Sequence, residues 1–99
     1  MHARVVYTQV QSGKIDEAIR IYRDSVTPAA EKQKGFKGGY LLTDRATGKG
    51  ISISLWETEA DMKAGETGGY LQEQIAKFGA LFAGPPIREG FEVSVHVVK

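Results

Sequence analysis

Tyr7, Tyr70 and His96 are the side chains of this sequence best suited to proton chemistry inside a small pocket. Tyrosine and histidine join an apolar body to one polar group, so they can line a greasy cavity and still hold or move a proton. They are the catalytic candidates. Each also has a plainer reading: a core tyrosine with a satisfied hydroxyl, or a hydrogen-bonded structural histidine near a chain end. Arg4, Tyr22, Trp56 and Phe78 are the substrate-binding candidates. Arg4 could hold an anionic group through its guanidinium, and the three aromatics offer flat apolar surface. For these the plainer readings are a solvated or ion-paired arginine and ordinary core packing.

Other chemistries find little footing. Cysteine is absent, which excludes disulfides and thiolate catalysis. Asp44, Glu57, Glu59 and Asp61 sit near turns or caps, and no pair has the spacing of a defined metal site, so no metal is expected. The glycines of Gly35-Phe36-Lys37-Gly38-Gly39 match neither a dinucleotide fingerprint nor a phosphate loop, and no cofactor is expected. With 13 Lys and Arg against 12 Asp and Glu, the chain lacks the concentrated basic face that nucleic acid demands. No apolar run approaches the ~20 residues needed to span a bilayer. Met1-His2-Ala3-Arg4 passes straight into strand-like sequence without a secretory pattern. A small soluble cytoplasmic protein is expected, folded as a single domain over residues 1–99.

The elements that must position these residues follow from periodicity. Ala3 to Val10 alternates as a strand, with Arg4, Val6, Thr8 and Val10 on one face and Val5, Tyr7 and Gln9 on the other. Ile15, Ala18, Ile19, Tyr22, Val26 and Ala29 recur at helical spacing, and Thr27-Pro28 should kink or end that helix. Residues 34–39 read as a loop, Tyr40 to Thr43 as a strand, Asp44 to Lys49 as a hairpin turn and Gly50 to Trp56 as the returning strand. On that strand Ile51, Ile53 and Leu55 oppose Ser52, Ser54 and Trp56. Thr58 is placed to cap a short helix that Gly65 and then Gly68-Gly69 should interrupt. Leu71, Ile75, Phe78 and Phe82 form a second helical stripe, which Gly84-Pro85-Pro86 ends. The last strand is predicted from Arg88 to Val98.

The order β-α-β-β-α-β is a ferredoxin-like α+β fold: a four-stranded antiparallel sheet with its helices on one face. The other sheet face keeps valines, isoleucines or aromatics whichever way the register falls. A bare apolar face of that size calls for a partner, and a homodimer packed through the open sheet faces is expected.

Three passages resemble the antibiotic biosynthesis monooxygenase (ABM) domain family: Lys34-Gly35-Phe36-Lys37-Gly38-Gly39-Tyr40, Leu55-Trp56-Glu57-Thr58-Glu59-Ala60-Asp61, and the Gly84-Pro85-Pro86 exit to a final strand. The resemblance runs from Arg4 to Val97. It implies a dimeric α+β barrel with a small cavity between sheet and helices in each subunit. It further implies a cofactor-free monooxygenase of a small aromatic, of the quinol or phenol type. A non-catalytic barrel that binds a small apolar or aromatic ligand is the alternative. Haem degradation is disfavoured: the first strand has no Asn, residues 59–65 have no Trp, and residues 70–82 have no His. The segment from Ala64 to Tyr70, where quinol-oxidising relatives often carry histidines, offers Gly65-Glu66-Thr67-Gly68-Gly69 instead.

Overall fold

Four strands form one antiparallel sheet: β1 (His2–Gln9), β2 (Phe36–Asp44), β3 (Lys49–Trp56) and β4 (Ile87–Glu92), in the spatial order β2-β3-β1-β4. The structure is a computed structural model and describes residues 1–99. β1 lies at the centre, pairing with β3 on one side and β4 on the other. The register sets Arg4 opposite Ser54, Val6 opposite Ser52 and Thr8 opposite Gly50. These residues, with Leu41, Thr43 and Trp56, form the inner sheet face beneath the helices. The period-2 reading of β3 holds: Ser52, Ser54 and Trp56 face inward, so Ile51, Ile53 and Leu55 take the outer face.

Of the two outcomes expected at Thr27-Pro28, a kink or an end, the helix does not end. Rather than ending at Pro28, the rod continues from α1 (Ile15–Ile21) through a π turn (Tyr22–Val26) into α2 (Thr27–Glu31). Proline at 28 has no N–H with which to continue the regular ladder, and the register widens just ahead of it. Within that turn the carbonyl of Tyr22 accepts both the backbone N–H and the hydroxyl of Thr27, the latter at 3.1 Å. Val10, Ile15, Ala18 and Leu81 make the buried cluster that fixes this rod to the sheet, with Phe78 and Phe82 packed against it.

Two other expectations are corrected. β2 starts at Phe36, inside the segment read as a loop, because a bulge between Phe36 and Gly38 lets the glycines join the ladder. Gly38 carries a φ of +135° there, a conformation that L side chains rarely adopt. The helix after Trp56 passes the first of its expected breaks, Gly65, and stops at the second, Gly68. α3 (Glu59–Thr67) is capped by the Thr58 hydroxyl, which accepts the Asp61 N–H at 3.0 Å, and it runs through Gly65. A Cβ at Gly65 would sit 3.1 Å from the Tyr70 ring and 3.8 Å from the Arg4 guanidinium, so glycine here serves close approach and not termination. α4 (Tyr70–Ala76) follows, then a 3-10 turn over Gly79–Leu81.

The last strand ends six residues before its predicted limit. β4 stops at Glu92, and beyond the Val93 N–H, which donates to the Met1 carbonyl at 3.0 Å, no ladder continues. Val95, Val97 and Val98 are each about 80% exposed. Alternation alone does not make a strand; a neighbouring edge must accept its hydrogen bonds.

Candidate active-site cavity

Between the inner sheet face and the helices lies a cavity of about 90 Å³. Its floor exists because β3 carries small residues where its register meets the centre of the sheet: Gly50, Ser52 and Ser54. Aromatic and aliphatic side chains from the helices and from the turn after α4 form the roof, among them Tyr22, Tyr70, Leu71, Ile75, Phe78 and Phe82. The residues read as one helical stripe at 71, 75, 78 and 82 all line the cavity, but the helix is shorter than expected. α4 ends at Ala76, and Phe78 and Phe82 reach the cavity from the turn beyond it, Phe82 as a bridge partner of Val10. A shallow depression lined by Ile19, Tyr22, Arg23, Thr27, Leu41 and Thr43 adjoins the cavity, sharing Tyr22, Leu41 and Thr43 with it.

One end of the cavity is aromatic and cationic. Trp56 is 1% exposed, its indole N–H donating to the Ser54 hydroxyl at 2.9 Å. Phe36 meets it edge-on at 5.5 Å between ring centroids, and Tyr70 does so at 6.5 Å. The Arg4 guanidinium lies 5.1 Å from the indole centroid, a cation–π arrangement. Arg4 itself is only 3% exposed. Its Nη1 donates to the Met62 carbonyl at 3.0 Å and to Glu66 at 3.5 Å. Burial holds its pKa below the usual guanidinium value, with Glu66 opposing that effect.

Elsewhere the polar groups are few and neutral. The Tyr22 hydroxyl and Ser52 Oγ are 3.2 Å apart. Gln74 is buried at 7% exposure, its Oε1 accepting from Lys77 Nζ at 2.8 Å. The lining contains no histidine, aspartate or glutamate. No group of three or more His, Cys, Asp or Glu side chains is placed to hold a metal ion.

The structure brings together Arg4, Tyr22, Trp56, Tyr70 and Phe78 from among the sequence candidates. It separates the other two from them. Tyr7 lies opposite Ile51 on the outer face, 37% exposed, because strand alternation turns it away from Arg4, Val6 and Thr8. His96 sits past the end of β4 on the exposed terminal segment. Their expected meeting with Tyr70 in one pocket does not occur within this chain. Gln74, Ser52 and Ser54 were not singled out as site residues. The signals were present: a glutamine three residues after Leu71 and four before Phe78, and serines alternating with isoleucines in a strand that must be half covered.

Burial raises the Tyr70 pKa above its ordinary value of 10, although the Arg4 charge pulls the other way. The hydroxyl is therefore protonated at neutral pH and can donate. A raised folded-state pKa means that the stability tied to neutral Tyr70 is present below pH 10 and is lost as pH rises through the folded value. Urea midpoints measured upward from neutrality should fall more gently above about pH 10 in Tyr70→Phe than in the native protein.

An antiparallel α+β sheet covered on one face, with an apolar cavity under the cover, defines the molecule as a ferredoxin-like domain. The family model for "Antibiotic biosynthesis monooxygenase" matches residues 1–81, and the chain belongs to that family. Over 98 residues it is 35% identical to the uncharacterized protein Rv2557 of Mycobacterium tuberculosis, covering 95% of this chain and 41% of that protein. The chain thus spans less than half the length of that relative. Among solved structures, the monooxygenase from the gene ActVA-Orf6 of Streptomyces coelicolor, in complex with nanaomycin D, superposes with a TM-score of 0.80 at 13% identity, over 99% of this chain and 91% of that one. SnoaB, a cofactor-independent oxygenase from Streptomyces nogalater, superposes with a TM-score of 0.78 at 15% identity, over 99% of this chain and 97% of that one. At these identities the structural likeness shows the fold. No helix is long and apolar enough to cross a membrane.

Proposed function

We propose that this domain is a monooxygenase of a small hydroxylated aromatic, working without a cofactor. The observation that carries the proposal is the cavity itself: an enclosure walled by aromatic rings, with a few neutral donors and one buried cation. Family membership and the cofactor-independent character of SnoaB support the reaction type. In such a reaction the ionised phenol reduces dioxygen, the radical pair recombines at a ring carbon, and the peroxide breaks down to a quinone. One oxygen atom stays as the new carbonyl, and the other leaves as water with the two hydrogens the substrate has lost. The cavity's contribution is positioning, water exclusion and support of the anion.

The test is oxygen uptake with a panel of anthrones, catechols and naphthoquinols, with isotopically labelled dioxygen to follow one atom into product. Stimulation above autoxidation with one label retained is the expected result. Uptake equal to autoxidation across the panel, from a protein that still binds the compounds, would favour the second reading, a binding barrel without turnover. The lack of a histidine or carboxylate in the lining is the observation behind that alternative.

We also infer that two copies pack through their outer sheet faces. Tyr40 and Ile87 are 61% and 63% exposed there, with Leu42 and Phe91 each 46% exposed. They surround Val5 and Ile53 on adjacent strands, giving a largely apolar face that water disfavours, interrupted by Glu89 opposite Val5. Ile53→Asp would put a second carboxylate on this face, across Val5 from Glu89. Sedimentation velocity should show a dimer for the native chain at micromolar concentration and a monomer for the variant. A native monomer at that concentration would overturn the inference.

A further inference from the structure

We propose that Arg4 is an oxyanion anchor: the cavity takes its hydroxyaromatic ligand as the phenolate, with the charged oxygen against the Arg4 guanidinium. This rests on the aromatic-ligand reading above and adds the residue that holds the charged oxygen and so sets the ligand's ionisation on binding.

The argument begins with the hydrogen bonds of the buried guanidinium. Both of its protein acceptors, Met62 O and Glu66 Oε2, are taken by Nη1. Nε and Nη2 donate to no protein acceptor, although Arg4 is 3% exposed and lines the cavity. No buried side-chain nitrogen or oxygen that is sealed from solvent lacks a partner, so these two donors open onto free space. Arg4 lines the cavity, and in the proposed arrangement these two donors are directed into it.

Charge points the same way. Glu66 is the nearest carboxylate, and it is shared: its other oxygen lies 3.6 Å from Arg88 Nε. Two guanidiniums on one carboxylate leave an excess positive charge at this end of the cavity. Tyr70 on α4 and Tyr22 on the π turn are the other titratable groups facing the enclosure, and neither brings a carboxylate. A neutral ligand would leave a buried cation incompletely paired, whereas an anionic oxygen would satisfy both its charge and its free donors. Ionisation breaks only the ligand's O–H bond; the electron pair stays on oxygen and the proton passes to solvent water. The missing histidine and carboxylate then cease to be an obstacle, because electrostatic support replaces a positioned base.

Spectrophotometric pH titration of 4-nitrophenol, free and protein-bound, tests this, with 4-nitroanisole as the unionisable comparison. The bound phenol's pKa is expected to fall by about one unit or more, and the phenolate to bind at least about tenfold more tightly than the anisole. Arg4→Met should abolish the shift. Glu66→Gln, which keeps the arginine and removes its competing carboxylate, should deepen it, so the test survives if the Arg4 variant does not fold. A bound phenol with an unshifted or raised pKa would overturn the anchor and leave the aromatic-ligand reading intact. Failure of both probes to bind saturably would overturn that reading and the anchor with it.

Discussion

Alanine at Trp56 is expected to cost the fold about 3–5 kcal/mol, the range for removing a large buried aromatic from a core. The indole is 1% exposed, gives its N–H to Ser54, and has Phe36 and Tyr70 set edge-on against it. Its face also covers the Arg4 guanidinium, so truncation exposes a buried cation as well as opening a void. Against a total stability of about 5–15 kcal/mol for a typical domain, most of the margin goes. Urea unfolding should show the midpoint collapse, with Trp56→Phe recovering a large share because a ring remains. An alanine variant within about 1 kcal/mol of the native chain would mean that this corner is not the packing centre described above.

Phenylalanine at Ser52 should abolish ligand binding while sparing the fold. Ser52 stands mid-strand on the cavity floor, between Leu41 and Val6 in register and beneath the Tyr22 hydroxyl. A ring there occupies the space a ligand needs, and affinity for any cavity ligand should fall by at least about a hundredfold. Overpacking costs about 1–3 kcal/mol, which the void around Ser52 should reduce. Circular dichroism and urea midpoints would confirm a folded variant, and calorimetric titration would read the lost binding. Unchanged affinity in a folded Ser52→Phe protein would place the ligand elsewhere.

Much of the fold was legible because its signals are local. The opposition of Ile51, Ile53 and Leu55 to Ser52, Ser54 and Trp56, the Thr58 cap and the first half of the stripe, Leu71 and Ile75, each follow from local pattern, whereas Phe78 and Phe82 lie beyond the end of α4 at Ala76. What stayed hidden depends on neighbours. Thr27-Pro28 announces a disruption, but not that it takes the form of a π turn just ahead of the proline. Gly65 reads as a helix breaker until Arg4 and Tyr70 are seen pressed against it. Val93 to Val98 alternates perfectly well, yet within one chain it meets no edge that could make it a strand.

The site was half legible for a related reason. Both faces of β1 carry apolar residues, so alternation groups Arg4 with Thr8 and Tyr7 with Val5 without saying which group the helices will cover. Buried arginine is rare, and solvated arginine is the natural first reading of position 4. Only the fold shows that Gly65 lets α3 come close enough to bury it.

Trp56 reports on the cavity from within, since it is the only tryptophan in the chain and lines that space. Its emission should be followed while a hydroxynaphthoquinone is titrated into the native protein and into Ser52→Phe. A molecule entering the space beside the indole should quench it along a saturable curve in the native protein, and that curve should be lost in the variant. Quenching that rises without saturation, and equally in both proteins, would contradict an aromatic-binding cavity between sheet and helices.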